Sequence, residues 1–361
     1  MKTALENIRV LDLSRVLAGP WAAQLLGDFG ADVVKVERPG CGDDTRQWGP
    51  PWLGDQSAYF LSANRNKRSI AIDLSKALGQ ELVRHLAAEA DVVIENFRVG
   101  TLEGFGLGYA TLARDNPGLV FCSISAFGQT GSRAKDPGYD AMIQGEGGLM
   151  SITGPPNEQG GGPQKVGVAV ADIMAGMYAA TAILAALQAR RQTGRGQFID
   201  VPLYDSQVAW LANQSMNYLV GGEAPRRLGT AHPNLVPYQA FPTMDGNIML
   251  AVGNDRQFVM CLEVTGLEEL QGDARFATNA ARVEHRDEIV QRIGEKIASG
   301  TTASWLEAFS ARGVPAGPIN DIAEVLSNGY AEERGLVRPI KDGTGQQVPG
   351  VKNPVGFSTT P

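Results

Sequence analysis

The chain has 361 residues, 43 % of them hydrophobic, and its 32 basic against 39 acidic side chains give a net charge of −7. That is enough apolar material for a substantial core divided between two domains, and an acidic balance with no long run of either sign argues against a nucleic-acid face or an anionic-membrane patch. Cys41, Cys122 and Cys261, like His85, His232 and His285, stand far apart in sequence, which argues against a disulfide framework and a metal centre and fits a reducing cytoplasm.

Met1 to Asn7 lacks an apolar signal-peptide core and leads straight into a strand pattern, Ile8 to Leu13. Trp21 to Phe29 has helical spacing, Asp32 to Glu37 is a second strand, and Ser69 to Leu74 alternates like a half-buried one. Lys76 to Ala88 is an amphipathic helix; Ala90 to Glu95 and Leu119 to Ser125 are further apolar strands. Repeated strand, helix, strand order predicts an α/β unit with a parallel sheet covered on both faces. A long Ala-rich helix is expected over Ile173 to Arg191, then the turn at Thr193-Gly194-Arg195-Gly196, a strand from Gln197 to Val201 and a second long helix from Leu203 to about Val220. The run Gly167 to Leu187 is long enough to raise a membrane span, but it carries Asp172 near one end and is mostly Ala and Gly, which favours a buried, close-packed helix. Gly221 to Pro225 marks a domain boundary. A smaller α+β unit comes next, with a hairpin across Asp245-Gly246 and helices from Arg256, Ala281 and Thr302. The expected division is a large domain over 1–202, a linker helix over 203–225, a small domain over 226–325, and a return linker with a truncated last part of the large domain over 326–361.

A sheet of this kind first suggests a dinucleotide site, but no G-x-G-x-x-G stands after the first strand: Gly106-Leu107-Gly108 lacks the third glycine, and no P-loop is present. The strands lead instead into Val16-Leu17-Ala18-Gly19-Pro20, Arg38-Pro39-Gly40 and Asn96-Phe97-Arg98-Val99-Gly100. Ligands of open α/β sheets lie at the carboxyl ends of strands, so Arg38 and Arg98 are candidates to reach a phosphate or stack on an adenine, although a solvated surface Arg is the common case. Asp136-Pro137-Gly138-Tyr139-Asp140 reads as a turn and then a cap; Gly145 to Gly148 and Gly160 to Gly162 offer loops whose N–H groups can approach a reacting carbonyl.

Asp172 comes after the second of those loops and opens the Ala-rich helix. Its ordinary role there is an N-cap. The same place has a chemical use, because a helix N-terminus favours an ionised carboxylate and offers amides to an oxyanion.

Together these segments resemble the class III CoA-transferases, the CaiB/BaiF family that includes formyl-CoA transferase. The resembling elements are Val10 to Pro20, Gly30 to Arg38, Asn66-Lys67-Arg68-Ser69, Glu95-Asn96-Phe97, Asp172 with its helix, and Thr193 to Gln197. They cover the chain from about residue 5 to 355. Gly229 to His232, Val236 to Phe241 and Gly313-Val314-Pro315 resemble the succinyl-CoA:glutarate CoA-transferase branch. The resemblance implies a Rossmann-like large domain, a small α+β domain and two interlocked chains in a homodimer. It places Val16, Leu17, Ala18, Arg38, Ile72, Asn96, Phe97 and Arg98 where the family holds CoA, Asp172 on its nucleophile, and Tyr139 and Asp140 beside the site. Gly147 and Gly148 are the expected lid, and Arg226, Arg227 or His232 the expected partners of an acceptor's distal carboxylate. Gly253-Asn254-Asp255-Arg256 stands where oxalate-using members carry a glycine-only lid, and relatives usually continue past the position of Pro361.

The implied reaction moves CoA from an acyl-CoA to a small carboxylate through an aspartyl anhydride and an aspartyl-CoA thioester. It needs no tightly bound cofactor and no metal, the CoA thioester being substrate. An acyl-CoA racemase is the nearest enzymatic alternative, but that branch has a His where this chain has Tyr139, and a phenol is a poor base at neutral pH. A non-catalytic CoA-binding protein would keep Arg38 and Arg98 without needing Asp172.

Overall fold

The computed structural model describes residues 2–360. The chain divides into two compact units, one running to Met150 and taking in 165–225 and the stretch from Glu332 on, the other comprising 151–164 and 226–331.

The first unit is built on a six-stranded sheet of β1 (Arg9–Asp12), β2 (Asp32–Glu37), β3 (Lys67–Ala71), β4 (Val92–Glu95), β5 (Val120–Ser125) and β6 (Phe198–Pro202). Every pairing is parallel and the spatial order is β3-β2-β1-β4-β5-β6. This is the order of a doubly wound Rossmann sheet, whose strand order reverses between β1 and β4. Both faces are covered, as the near-continuous apolar strands require. Val10, Val92, Ile94, Val120, Cys122 and Ile124 face one core, shared with α1 (Ala18–Asp28) and α4 (Val170–Thr193). Leu11, Val93 and Phe121 face the other, against Val83 and Ala87 of α2 (Ala77–Glu89). Side chains alternate across a strand, so one apolar run feeds two cores.

Helix α4 is long and apolar enough to cross a membrane by composition alone. Ala171, Ala175, Ala179 and Ile183, at helical spacing, are buried in the core instead. Gly176 explains how closely α1 and α4 meet: a Cβ there would lie 2.7 Å from the Ala18 carbonyl oxygen. Small residues on α4 thus set the start of α1 one helical turn from Asp172.

Three expectations require correction. The helix over 203–220 is two, α5 (Leu203–Ala209) and α6 (Asn213–Gly221), separated where Ala212 turns to φ 48°. Apolar spacing runs through the break, so periodicity alone could not reveal it. Both belong to the first unit rather than to a linker, α5 packing on α4 and on α3 (Asp140–Glu146). Residues 151–164 leave the first unit for the second, because the Gly154 carbonyl accepts from the Gly229 N–H at 3.1 Å and Arg227 donates to the Pro155 carbonyl at 3.2 Å.

The second unit carries an antiparallel sheet in which β8 (Asn247–Ala251) lies between β7 (Tyr238–Pro242) and β9 (Ala316–Pro318). The expected hairpin spans Thr243 to Gly246, where the Asp245 carboxylate accepts from the Thr302 N–H at 2.7 Å. Helices α7 (Asp255–Thr265), α8 (Asn279–Glu284), α9 (Arg286–Ile297) and α10 (Thr302–Ala311) surround a core of Phe241, Leu250, Phe258, Ile293 and Phe309. The buried Arg282 is satisfied by Asp255 at 2.7 Å and by the carbonyls of Val236 and Phe276.

Candidate active site

At the reversal point of the first unit's sheet, the loop after β1 and the loop after β4 diverge and leave a crevice. Side chains tie its two walls together. The Asn96 Oδ1 accepts from the Arg15 N–H at 2.8 Å, and its Nδ2 donates to the Arg15 carbonyl at 2.7 Å. The amide of Asn96 therefore shapes the wall, where the resemblance implied contact with CoA.

Two adjoining clefts open there. The first, about 320 Å³, is lined by Arg15 to Ala18, Asn96 to Val99, Lys135 to Tyr139 and Asp172. The second, about 240 Å³, contains Arg38, Ile72 and Ser75, and shares Arg15 and Phe97 with the first. Eight of the sequence-derived residues thus line the first cleft, namely Val16, Leu17, Ala18, Asn96, Phe97, Arg98, Tyr139 and Asp172. Arg38 and Ile72 line the second.

Val16 has φ 69°, a left-handed conformation that costs a β-branched residue about 1–2 kcal/mol. Helix α1 begins two residues later with no side-chain cap.

Asp172 differs from the sequence expectation. Helix α4 starts at Val170, so Asp172 sits within the first turn and is not the N-cap. The capping role falls to Asp140, whose Oδ1 accepts from the N–H groups of Ala171 at 2.8 Å and Asp172 at 3.3 Å. Asp140 is itself fixed by Gln144 at 2.7 Å and does not line the cleft. The helix-start amides expected to serve an oxyanion are thus occupied by a carboxylate. Burial, and then the Asp140 charge, push the Asp172 carboxyl up to about 7. The expected stabilisation of its ionised form at the helix start is outweighed by desolvation and a like charge.

Burial, with the charges of Asp172, Asp140 and Asp43, pushes the Tyr59 phenol up to about 12. Its ring packs edge-on against Trp48 at 5.0 Å. Sequence reading missed Tyr59, because the segment after β2 carries no periodic signal and its nearness to Asp172 is tertiary. Arg15 was missed too, though its place between β1 and α1, at the end of a strand, could have flagged it. Its guanidinium lies 5.2 Å from the Phe97 ring centroid and 3.5 Å from Asp44, which also pairs with Arg38.

Gly147 and Gly148 line neither cleft. A Cβ on Gly147 would lie 2.6 Å from the Gln207 side chain, so close packing on α5 accounts for that glycine. His232 belongs to the second unit, where its Nδ1 accepts from the Asn234 N–H at 3.0 Å and burial, then the Arg286 charge, lower its pKa.

A doubly wound sheet with a carboxylate in its switch-point cleft defines a broad class of α/β proteins, and similarity to known proteins narrows it. The pattern of CoA-transferase family III matches residues 5–361, and the chain belongs to that family. It is 49 % identical to the succinate–glutarate CoA-transferase of Agrobacterium fabrum, over 100 % of this chain and 91 % of the relative. To the succinyl-CoA:glutarate CoA-transferase of Mus musculus it is 46 % identical, over 94 % of this chain and 77 % of the relative. A crystal structure of a CaiB/BaiF family protein from Brucella suis superposes with a TM-score of 0.86 at 47 % identity, over 99 % of this chain and 94 % of that one.

Proposed function

We propose that this protein transfers CoA from an acyl-CoA donor such as succinyl-CoA to a small dicarboxylate, with glutarate, named for its relatives, as the first acceptor to try. The observation that carries the reading is Asp172: a carboxylate at the start of a helix, lining a switch-point cleft, with a pKa of about 7. Such a group is ionised often enough at neutral pH to attack, and its poor solvation keeps it nucleophilic.

In the proposed mechanism an Asp172 oxygen attacks the thioester carbonyl, the C–S bond breaks and CoA leaves as thiolate. The product is a mixed anhydride between Asp172 and the acyl group. The thiolate attacks the Asp172 carbonyl carbon of that anhydride, releases the donor acid and forms an aspartyl-CoA thioester. The acceptor carboxylate repeats the sequence in reverse, leaving as acyl-CoA and restoring Asp172. The acyl bond energy is kept throughout, provided water stays out. The first cleft would hold the thioester beside Asp172, and the second, with Arg38 and Ile72, the nucleotide end. Tyr139 would line the acyl side, with Gly148, rather than the close-packed Gly147, as hinge. An interlocked cytoplasmic homodimer of large and small domains, with no nucleic-acid or membrane partner, completes the reading.

Incubation with succinyl-CoA, trapping with hydroxylamine and peptide mapping test it. A hydroxamate on Asp172, absent in Asp172→Ala, is the expected result. CoA bound without any adduct, and no transfer to a panel of dicarboxylates, would replace this reading with a non-catalytic one.

A further inference from the structure

We propose that Asp43, buried beside Lys35, is a positioning residue: it holds Val16 in its left-handed conformation and so presents the Arg15–Ala18 turn to the cleft. The identity of what that turn grips rests on the acyl-CoA reading; the conformational half rests on geometry alone.

A β-branched residue at φ 69° persists only where its surroundings over-determine the backbone. Here every polar backbone group from the Ser14 N–H to the Val16 N–H is held by a side chain. The Ser14 N–H donates to Asp12 Oδ1 at 3.0 Å, and the Ser14 carbonyl accepts from Lys35 Nζ at 2.8 Å. Asn96 takes both groups of Arg15. The Val16 N–H then donates to both carboxylate oxygens of Asp43, at 3.4 and 3.3 Å. Asp43 is the one of these side chains that touches the left-handed residue itself.

Asp43 is well placed for this because it is held in turn. It is 1 % exposed, its N–H donates to Glu37 Oε2 at 2.8 Å, and its Oδ1 accepts from Thr45 N at 3.0 Å and Thr45 Oγ1 at 2.8 Å. Its Oδ2 meets Lys35 Nζ at 2.9 Å. Lys35 also reaches the Ser14 carbonyl, so one ion pair grips the turn at two points, two residues apart. Arg15, Val16, Leu17 and Ala18 all line the first cleft, while Lys35 and Asp43 line the second. A fault in the pair is therefore transmitted to the backbone that faces the first cleft, whose lining includes neither Lys35 nor Asp43. Loss of the grip lets Val16 relax to negative φ, which rotates the Val16–Leu17 peptide and moves the uncapped start of α1.

The test is Asp43→Asn, alone and combined with Val16→Gly, because glycine adopts positive φ without the strain that valine carries. In Asp43→Asn the KM for succinyl-CoA rises about tenfold while kcat changes less than about threefold, whereas the same change made on top of Val16→Gly raises KM less than about threefold over Val16→Gly alone. A merely structural role would raise KM equally in both backgrounds. A crystal structure of Asp43→Asn shows Val16 at negative φ. Should the stranded Lys35 prevent folding, Lys35→Met with Asp43→Asn removes both buried charges and is expected to show the same rise in KM. An unchanged KM with Val16 still left-handed, or an equally large rise in the Val16→Gly background, would overturn the proposal. If the parent protein bound no CoA in calorimetry, the substrate reading and the ligand half would fall together, while φ of Val16 in the variant still decided the conformational half.

Discussion

The first unit withdraws carboxylates from water in two ways, fully at Asp12 and Asp43 and partly at Asp172 and Asp140. At the end of β1 and in the loop after β2, Asp12 and Asp43 lie among cations: Lys67 is 3.0 Å from Asp12 and Lys35 is 2.9 Å from Asp43. At the start of α4, Asp172 lies beside Asp140, and among the described residues neither forms a salt bridge. The consequences for protonation are opposite. Burial opposes ionisation of Asp12, but Lys67, Lys35 and Ser14 together hold its pKa below the ordinary range. Burial of Asp172, reinforced by Asp140, pushes its carboxyl up to about 7. A buried charge with a partner is inert framework, and a half-buried one without is poised for chemistry at neutral pH. Glu95 is an intermediate case: burial raises it to about 7, although Ser123 and the Phe97 N–H pull against the shift. It fixes the turn around Asn96 through that N–H, at 2.8 Å.

The contrast is broken most sharply at Asp172. Asp172→Asn keeps the shape and removes the nucleophile, and transfer falls by at least about a thousandfold, measured as acyl-CoA formed from a carboxylate acceptor. On the paired side the damage is to stability. Lys35→Met strands Asp43 and lowers unfolding free energy by about 3–5 kcal/mol, read from urea titrations. Asp140→Ala removes both the like charge and the cap. It is expected to shift the acid limb of kcat/KM, expected in the parent near pH 7 where Asp172 ionises, to lower pH, and to cost about 1 kcal/mol through the uncapped α4.

The smallest effect sharpens the comparison through linkage. The folded-state pKa of Asp172, about 7, lies above its ordinary 3.8, so the folded form holds that proton more tightly. Its contribution favours folding below the unfolded pKa and is lost as pH rises through about 7. Asp172→Asn is therefore expected to raise Tm by about 2 °C or more at about pH 8, with the gain vanishing near pH 4. A variant less stable than its parent at both pH values would mean that Asp172 is held by an attraction.

Much of the frame was legible along the chain because its signals are local. Apolar runs at Val10, Val33, Val92 and Val120 announce strands whatever lies around them, and the parallel sheet is implied by their alternation with helices. Strand ends could be read as ligand positions, and the residues placed there line the two clefts. The break at Ala212 was not legible, since it interrupts a continuous apolar pattern.

What sequence determined by itself was the order of elements, the family pattern and the residue types at each strand end, because these depend on neighbours within a few positions. Tertiary structure alone decided which partner each of those residues meets. Asp43 reaches Val16 across 27 positions, Asp140 caps α4 across 31, and Asn96 grips Arg15 across 81. Asp172 was left to face the cleft because another carboxylate took the capping position that its place in the sequence had suggested for it. Charge and hydrogen-bond capacity are written in the residue, but a pKa and a backbone angle belong to the surroundings that folding assembles.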